Sequence, residues 1–324
     1  MTSNNRAIFN PAARRGDPDW HLMYIACGDS GSGEQTDARR SNPQRLDNVV
    51  GKILRIIPDP DEHKDSSILS DNGRYRIPKD NPFFDTAGAR KEIWAYGLRN
   101  PYRLSWDVNP SDRNDNHLIV NVIGLSTWET VDIVRKGANY GYSEREGNER
   151  LNPDNTTGPL PSMDRIPVRI NESTTIGTVI PTYPVIQYGH VKEGGDAVSS
   201  GFVYRGKAMP ALQGKFIFGD ITTGHIWYAD FKEMLAADDG DPRTMAPIHE
   251  MQILWSNGRG EELYRTMAQI TAATYKGRGG KALTQARVSE GRSDMRLAMD
   301  ASGELYILSK SDGVIRAVAG VVER

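Results

Sequence analysis

Cysteine is almost absent. Cys27 is the single one in 324 residues, so no disulfide can form within the chain. It sits in the apolar run Leu22-Met23-Tyr24-Ile25-Ala26-Cys27 and reads as a small buried hydrophobe. The lack of disulfides does not decide the compartment. Long apolar runs are missing too, and none approaches the length of a membrane span. The first residues, Met1-Thr2-Ser3-Asn4-Asn5-Arg6, carry no apolar secretory core. That leaves a protein that stays inside the cell, or a start further upstream. No charge of one sign dominates: the formal net charge is −2 and the pI is near 6.3. A basic nucleic-acid footprint is therefore excluded. Small basic clusters, Ala12-Ala13-Arg14-Arg15 and Arg39-Arg40, read as solvated surface.

What is abundant is punctuation. The chain has 32 glycines and 18 prolines, residues that suit tight turns and weaken helix interiors. A hydrophobic content of 38% is low for a helical protein and workable for a loop-rich β fold. Four stretches repeat one shape, an apolar strand, a polar turn and a second strand: Leu22–Asp29 leading to Lys52–Ile57, Leu118–Val134, Lys215–Asp230 and Glu304–Val318. Hairpins recurring at a loose interval predict an all-β fold with the blades of a β-propeller. Strands are expected at Ile93–Tyr96, Leu118–Val122, Phe216–Phe218 and Leu305–Leu308. Residues 148–182, rich in Pro, Asn, Thr and Asp, and residues 264–292 read as insertion-like loops in a single domain over 1–324. A short helix is expected within Tyr264–Tyr275, and a brief helical segment at Met234–Ala237.

The most informative stretch runs from Glu92 to Asp107. An aromatic strand, Ile93-Trp94-Ala95-Tyr96, breaks at Gly97 and presents Arg99-Asn100 on a turn fixed by Pro101; a second strand follows. A planar cation beside an amide, between two strands, is suited to hold something polar and flat. This stretch, with Trp128-Glu129-Thr130-Val131-Asp132 and Gly137-Ala138-Asn139-Tyr140-Gly141-Tyr142 downstream, resembles the soluble quinoprotein sugar dehydrogenases, the glucose/sorbosone dehydrogenase family. The resemblance extends from about Arg6 to Val318. It implies a six-bladed propeller that carries pyrroloquinoline quinone (PQQ) and Ca²⁺, with a sugar as substrate and an external electron acceptor as partner. It also implies a periplasmic or secreted location. In that family a base takes the anomeric hydroxyl proton, hydride passes to the quinone, and a lactone leaves; the cofactor carries the redox chemistry and the protein positions it.

By resemblance, Arg99 and Asn100 match the pair that bonds a quinone oxygen, where a fixed guanidinium stabilises the arriving charge. The bland alternative is an ion pair for Arg99 and a turn cap for Asn100. Gly124 and Leu125 match the loop whose carbonyls hold calcium, which readily accepts backbone oxygen; a plain turn is the alternative. Asp29 matches an aspartate that orients the catalytic histidine, or is an ordinary Asx turn. Gln35 matches a nearby active-site glutamine. His190 falls where the family lends polar groups to the cofactor pocket. Arg292 and Arg296 fall near arginines that meet the PQQ carboxylates. The catalytic histidine itself is missing: its position falls on Thr2, whose hydroxyl is no base near neutral pH, which leaves Asp29 and His190 as candidates. Family members also carry one to two further blades upstream, so a partial propeller of about four blades is expected here. The competing function is an inactive propeller that binds a glycan or a protein through its loops.

Overall fold

The computed structural model describes residues 7–190, 193–256, 260–277, 279 and 292–322. Thr2 and residues 280–291 of the second loop segment lie outside the described residues. The chain divides into two compact units, Met1–Pro184 with Gly240–Arg243, and Val185–Asp239 with Thr244–Arg324. It is all-β, with mostly antiparallel sheets and few helices.

In the first unit, Ala7–Phe9, Met23–Cys27, Lys52–Ile56 and Ile93–Tyr96 form one antiparallel sheet. Asn100–Val108, Asn116–Ile123 and Trp128–Ile133 follow one another in a second. Period-two alternation puts Tyr24, Ala26, Ile53 and Ala95 of the first sheet against Leu104, Leu118, Val120 and Val122 of the second in one buried cluster. Cys27 is only half-buried, because it ends its strand beside the loop at Gly28. Residues 148–182 carry short strands the sequence did not announce, including the hairpin Ile166–Arg169 with Thr175–Val179. Turn-rich composition hid them, since each strand is too short to show a period.

One expectation changes at the most informative stretch. Asn100 and Pro101 do not lie on the turn; they begin the strand Asn100–Val108. The turn is Gly97 to Arg99, and the ladder shifts register between Pro101 and Arg103. A proline without an N–H is tolerated at such a strand start beside a bulge.

In the second unit, Val198–Val203, Lys215–Asp220, Ile226–Asp230 and His249–Met251 form an antiparallel sheet. Met295–Met299, Leu305–Ser309 and Val314–Ala317 form another. Its core includes Tyr204, Leu212, Ile217, Ile226, Met295 and Ile307. The helices Phe231–Ala237 and Met267–Gly277 stand where helical segments were expected. Among the described residues no helix is long and apolar enough to cross a membrane.

Candidate functional site

Gly97 ends the strand Ile93–Tyr96 with φ +75°, and a Cβ there would lie 2.3 Å from Asn139 Oδ1. Only glycine makes this turn without strain. The turn is pinned from three sides: Gly97 N–H donates to the Pro43 carbonyl at 3.0 Å, Leu98 N–H to Gly51 at 3.1 Å, and Tyr142 N–H to Gly97 at 2.9 Å. Pro43 is itself held from below. The ammonium of the fully buried Lys52 donates to the carbonyls of Val50, Pro43 and Asn42 at 2.7, 2.8 and 3.1 Å. Burial pushes the Lys52 pKa down to about 7, against the opposing charge of Asp47.

Arg99 follows this turn, half-buried. Its carbonyl accepts the Asp29 N–H at 2.7 Å, and its guanidinium donates to the Gly124 carbonyl. Asp29 is buried, and its two carboxylate oxygens accept from Gly31 N–H at 3.0 Å and Gly33 N–H at 2.8 Å. Burial raises the Asp29 pKa; the two amides and the charge of Arg99 oppose that rise. The ring of Tyr142 lies over Gly33. Burial pushes its phenol up, and the nearby Asp29 charge adds to this.

The loop 124–128 is shaped by a residue that sequence reasoning missed. Glu146, buried, places Oε1 2.8 Å from the amide nitrogens of Leu125 and Ser126, 3.0 Å from Thr127 and 3.3 Å from Trp128. Glu129 accepts the Gly124 N–H at 3.2 Å. Four successive backbone donors therefore wrap one carboxylate oxygen, an anion nest with a resident side chain. The loop closes so tightly that a Cβ at Gly124 would fall 1.7 Å from the Trp128 carbonyl. Arg99, Gly124, Trp128, Asp132, Tyr142 and Glu146 line a cavity of about 30 Å³, room for one or two waters.

The structure thus brings together Asp29, Arg99 and Gly124, with Asn100 beside Gly28 and Leu125 on the same loop. Gln35 folds back onto its own turn, donating to the Gly31 carbonyl at 2.9 Å and accepting from Arg39 at 3.3 Å. The other candidates belong to the second unit. His190 follows the strand Ile186–Gly189 and is half-buried. Arg292 lies 3.5 Å from Asp294 and 3.9 Å from Asp196. Arg296 donates to the Met295 carbonyl at 2.7 Å.

A family model for glucose/sorbosone dehydrogenase matches residues 16–249, well over half of the chain. The chain belongs to the glucose/sorbosone dehydrogenase family. It is 33% identical to the HIPL1 protein of Arabidopsis thaliana over 217 residues, 65% of this chain and 28% of that protein. It is 35% identical to the aldose sugar dehydrogenase YliI of Escherichia coli over 120 residues, 37% of this chain and 25% of that one. The chain therefore matches under a third of the length of these curated relatives. Among solved structures, the soluble aldose sugar dehydrogenase (Asd) of Escherichia coli in its apo-form superposes with a TM-score of 0.52 at 21% identity, over 96% of this chain and 62% of that one. At that identity the likeness speaks for the fold: the all-β architecture matches that of the sugar dehydrogenases.

The family's two cofactors fit these residues unequally. A quinone oxygen suits Arg99 and Asn100: a guanidinium has five N–H donors, and Arg99 is seen to donate to Gly124, while the Asn100 amide adds more. For calcium, the expected contacts are the carbonyls of Gly124 and Leu125, and Glu146 Oε2 is buried in the cavity lining without a hydrogen-bond partner. The Gly124 carbonyl already accepts a guanidinium, a positive charge that repels a dication at the same oxygen. Glu129 and Asp29 spend oxygens on backbone amides. Among the described residues, no three His, Cys, Asp or Glu side chains gather into a metal site.

Proposed function

We propose that this chain carries the quinone-facing part of a PQQ-dependent aldose dehydrogenase of the six-bladed propeller type, contributing about four blades and acting outside the cytoplasm. The observation that supports this reading is that the Asp29 N–H bonds the Arg99 carbonyl while Asn100 Oδ1 lies beside Gly28. PQQ, when bound, supplies the hydride acceptor. Arg99 and Asn100 would hold its reacting carbonyl oxygen and stabilise the negative charge that develops there. Asp29 is fixed by two amides, and burial makes its carboxylate a better proton acceptor than a solvated one. It would receive the anomeric hydroxyl proton as the sugar becomes a lactone and an external acceptor takes the electrons. His190 stays a candidate base from the second unit, and Gln35, Arg292 and Arg296 stay proposed cofactor contacts. No step is assigned to calcium.

PQQ titrated into residues 1–324, followed by its absorbance and by dye reduction with a panel of aldoses, tests this. Saturable binding is expected, measured with and without added calcium. Arg99→Ala should weaken it about tenfold or more, and Asp29→Asn should slow turnover about 10²- to 10⁴-fold. Binding that ignores Arg99→Ala sinks the reading. A second function is favoured by one feature: Arg99 is engaged and its cavity is small. Quinone binding without turnover on any aldose would mark the chain as a glycan- or protein-binding propeller.

A further inference from the structure

The first unit holds a second concavity, of about 400 Å³, that shares no lining residue with the Arg99 cavity. It lies where the strand Ala7–Phe9 ends, beside the turn at Trp20 and His21 and the segment at Pro58 to Glu62. Its volume falls in the range of small-molecule sites. Trp20 and His21 stack with centroids 3.9 Å apart at 21°, and Phe9 tilts against His21 at 6.2 Å and 60°. Phe9 is 44% exposed, so its ring is not spent on the core.

The turn is clamped in a conformation that neither of two histidines adopts readily. His21 has φ +56° and His63 φ +50°. Such backbone persists only where surroundings over-determine it. Here two cross-loop bonds do so. His21 Nδ1 lies 2.9 Å from both oxygens of Glu62, and His63 Nε2 lies 2.7 Å from the Trp20 carbonyl.

The polar side-chain groups of the groove are the Trp20 indole N–H, the His21 ring, the Asn10 amide and two carboxylates. A carboxylate only accepts, so His21 Nδ1 carries a proton toward Glu62. Asn10 spends its amide donors on Asp19 at 2.8 Å and Asn116 at 3.0 Å, and its oxygen on the Ala12 N–H at 2.9 Å. Asp59 and Glu62 bring carboxylates, and no lysine or arginine lines the groove. Aromatic faces beside two carboxylates, with no lysine or arginine in the lining, repel anions. They suit a cation that only donates, seated over a ring.

We propose that this groove binds a small organic cation, an alkylammonium or guanidinium group on an apolar stem. The stem packs on Trp20 and Phe9, and the N–H donors meet Asp59 and Glu62. This site stands apart from the quinone reading and does not depend on it.

Calorimetry on residues 1–324 with agmatine tests it, alongside the indole N–H signal of Trp20, identified through Trp20→Phe. Agmatine should bind saturably at millimolar concentration or below and shift that signal. Its uncharged analogue, butylurea, and methyl glucoside should bind at least about tenfold more weakly. The double variant Asp59→Asn, Glu62→Gln should weaken agmatine about tenfold, with its thermal melt showing that it folds. N-acetylarginine amide, tighter than agmatine, would assign the cation to a peptide chain; agmatine, tighter, would assign it to a free amine. Methyl glucoside or butylurea equalling agmatine, agmatine binding that ignores the double variant, or no signal shift at millimolar agmatine would each overturn the proposal.

Discussion

Glu146→Ala will lower the unfolding free energy by about 3 kcal/mol. The reasoning is a count of donors. One oxygen of this buried carboxylate accepts from the amides of Leu125, Ser126, Thr127 and Trp128. A hydrogen bond to a charged group is worth roughly 1.5–3 kcal/mol, but one oxygen cannot serve four donors at full strength. Ser126 is exposed, so water recovers part of the loss there. Glu146→Gln keeps an acceptor oxygen without the charge and should cost about 1 kcal/mol. Urea unfolding measures both, and hydrogen exchange localises them: the amides of 125–128 should exchange faster in Glu146→Ala while strand amides in the second unit hold. A loss under about 0.5 kcal/mol, the size of an ordinary surface substitution, would refute this account.

The second large effect concerns Lys52. Lys52→Met keeps most of the buried stem and removes the ammonium, leaving the carbonyls of Asn42, Pro43 and Val50 without that donor. Pro43 keeps the Gly97 N–H and Asn42 keeps the Arg45 N–H, so the loss falls mainly on the Val50 carbonyl; an unsatisfied acceptor costs roughly 1–3 kcal/mol, and relieving the burial of a charge offsets part of this. A net loss of about 1–2 kcal/mol is expected. The wild-type chain should also show a slope with pH that Lys52→Met lacks. The folded-state pKa is depressed to about 7 by burial, from the ordinary lysine value of 10.5. Between those values the unfolded chain binds more protons than the folded one, so stability rises as pH rises through that window and is flat below it. The full shift corresponds to roughly 5 kcal/mol. Three carbonyl acceptors suit three ammonium protons and resist deprotonation, so the observed rise should be smaller. Urea midpoints measured from about pH 7 to 10, for both chains, decide it. Parallel curves would show that Lys52 does not titrate there.

These two residues mark the boundary of what could be read from the chain. The hairpins Lys215–Asp220 with Ile226–Asp230, and Leu305–Ser309 with Val314–Ala317, were legible because alternation and a Gly-containing turn are local signals. The Arg99-Asn100 turn was legible through Gly97, although the strand begins one residue earlier than Pro101 suggested. Lys52 looked like one more polar residue in an alternating strand. Its burial follows from the loop 42–50 folding over it, a contact across sequence that no period records. Glu146 sits 18 to 21 residues from the amides it holds, and those amides belong to residues whose side chains take no part. Asp29 and Arg99 were each assigned by resemblance, in separate roles, and the backbone bond between them supplies a physical link. Calcium was expected for the same reason, and the carbonyl of Gly124 expected to hold it accepts the Arg99 guanidinium.

The nest around Glu146 also bears on how this loop can vary among descendants of the chain. What positions Leu125, Ser126 and Thr127 is their amide hydrogens, so alanine, serine or glutamine at 126 and 127 should be close to silent. Proline is the one residue that lacks the hydrogen. A proline scan across 125–128 should therefore damage the protein at each step in the way that losing Glu146 does, while an alanine scan of 126 and 127 passes unnoticed. The loop's specification is stored in a part of the polypeptide that the genetic code does not vary, and it leaves a trace in the alphabet of side chains only as a forbidden letter.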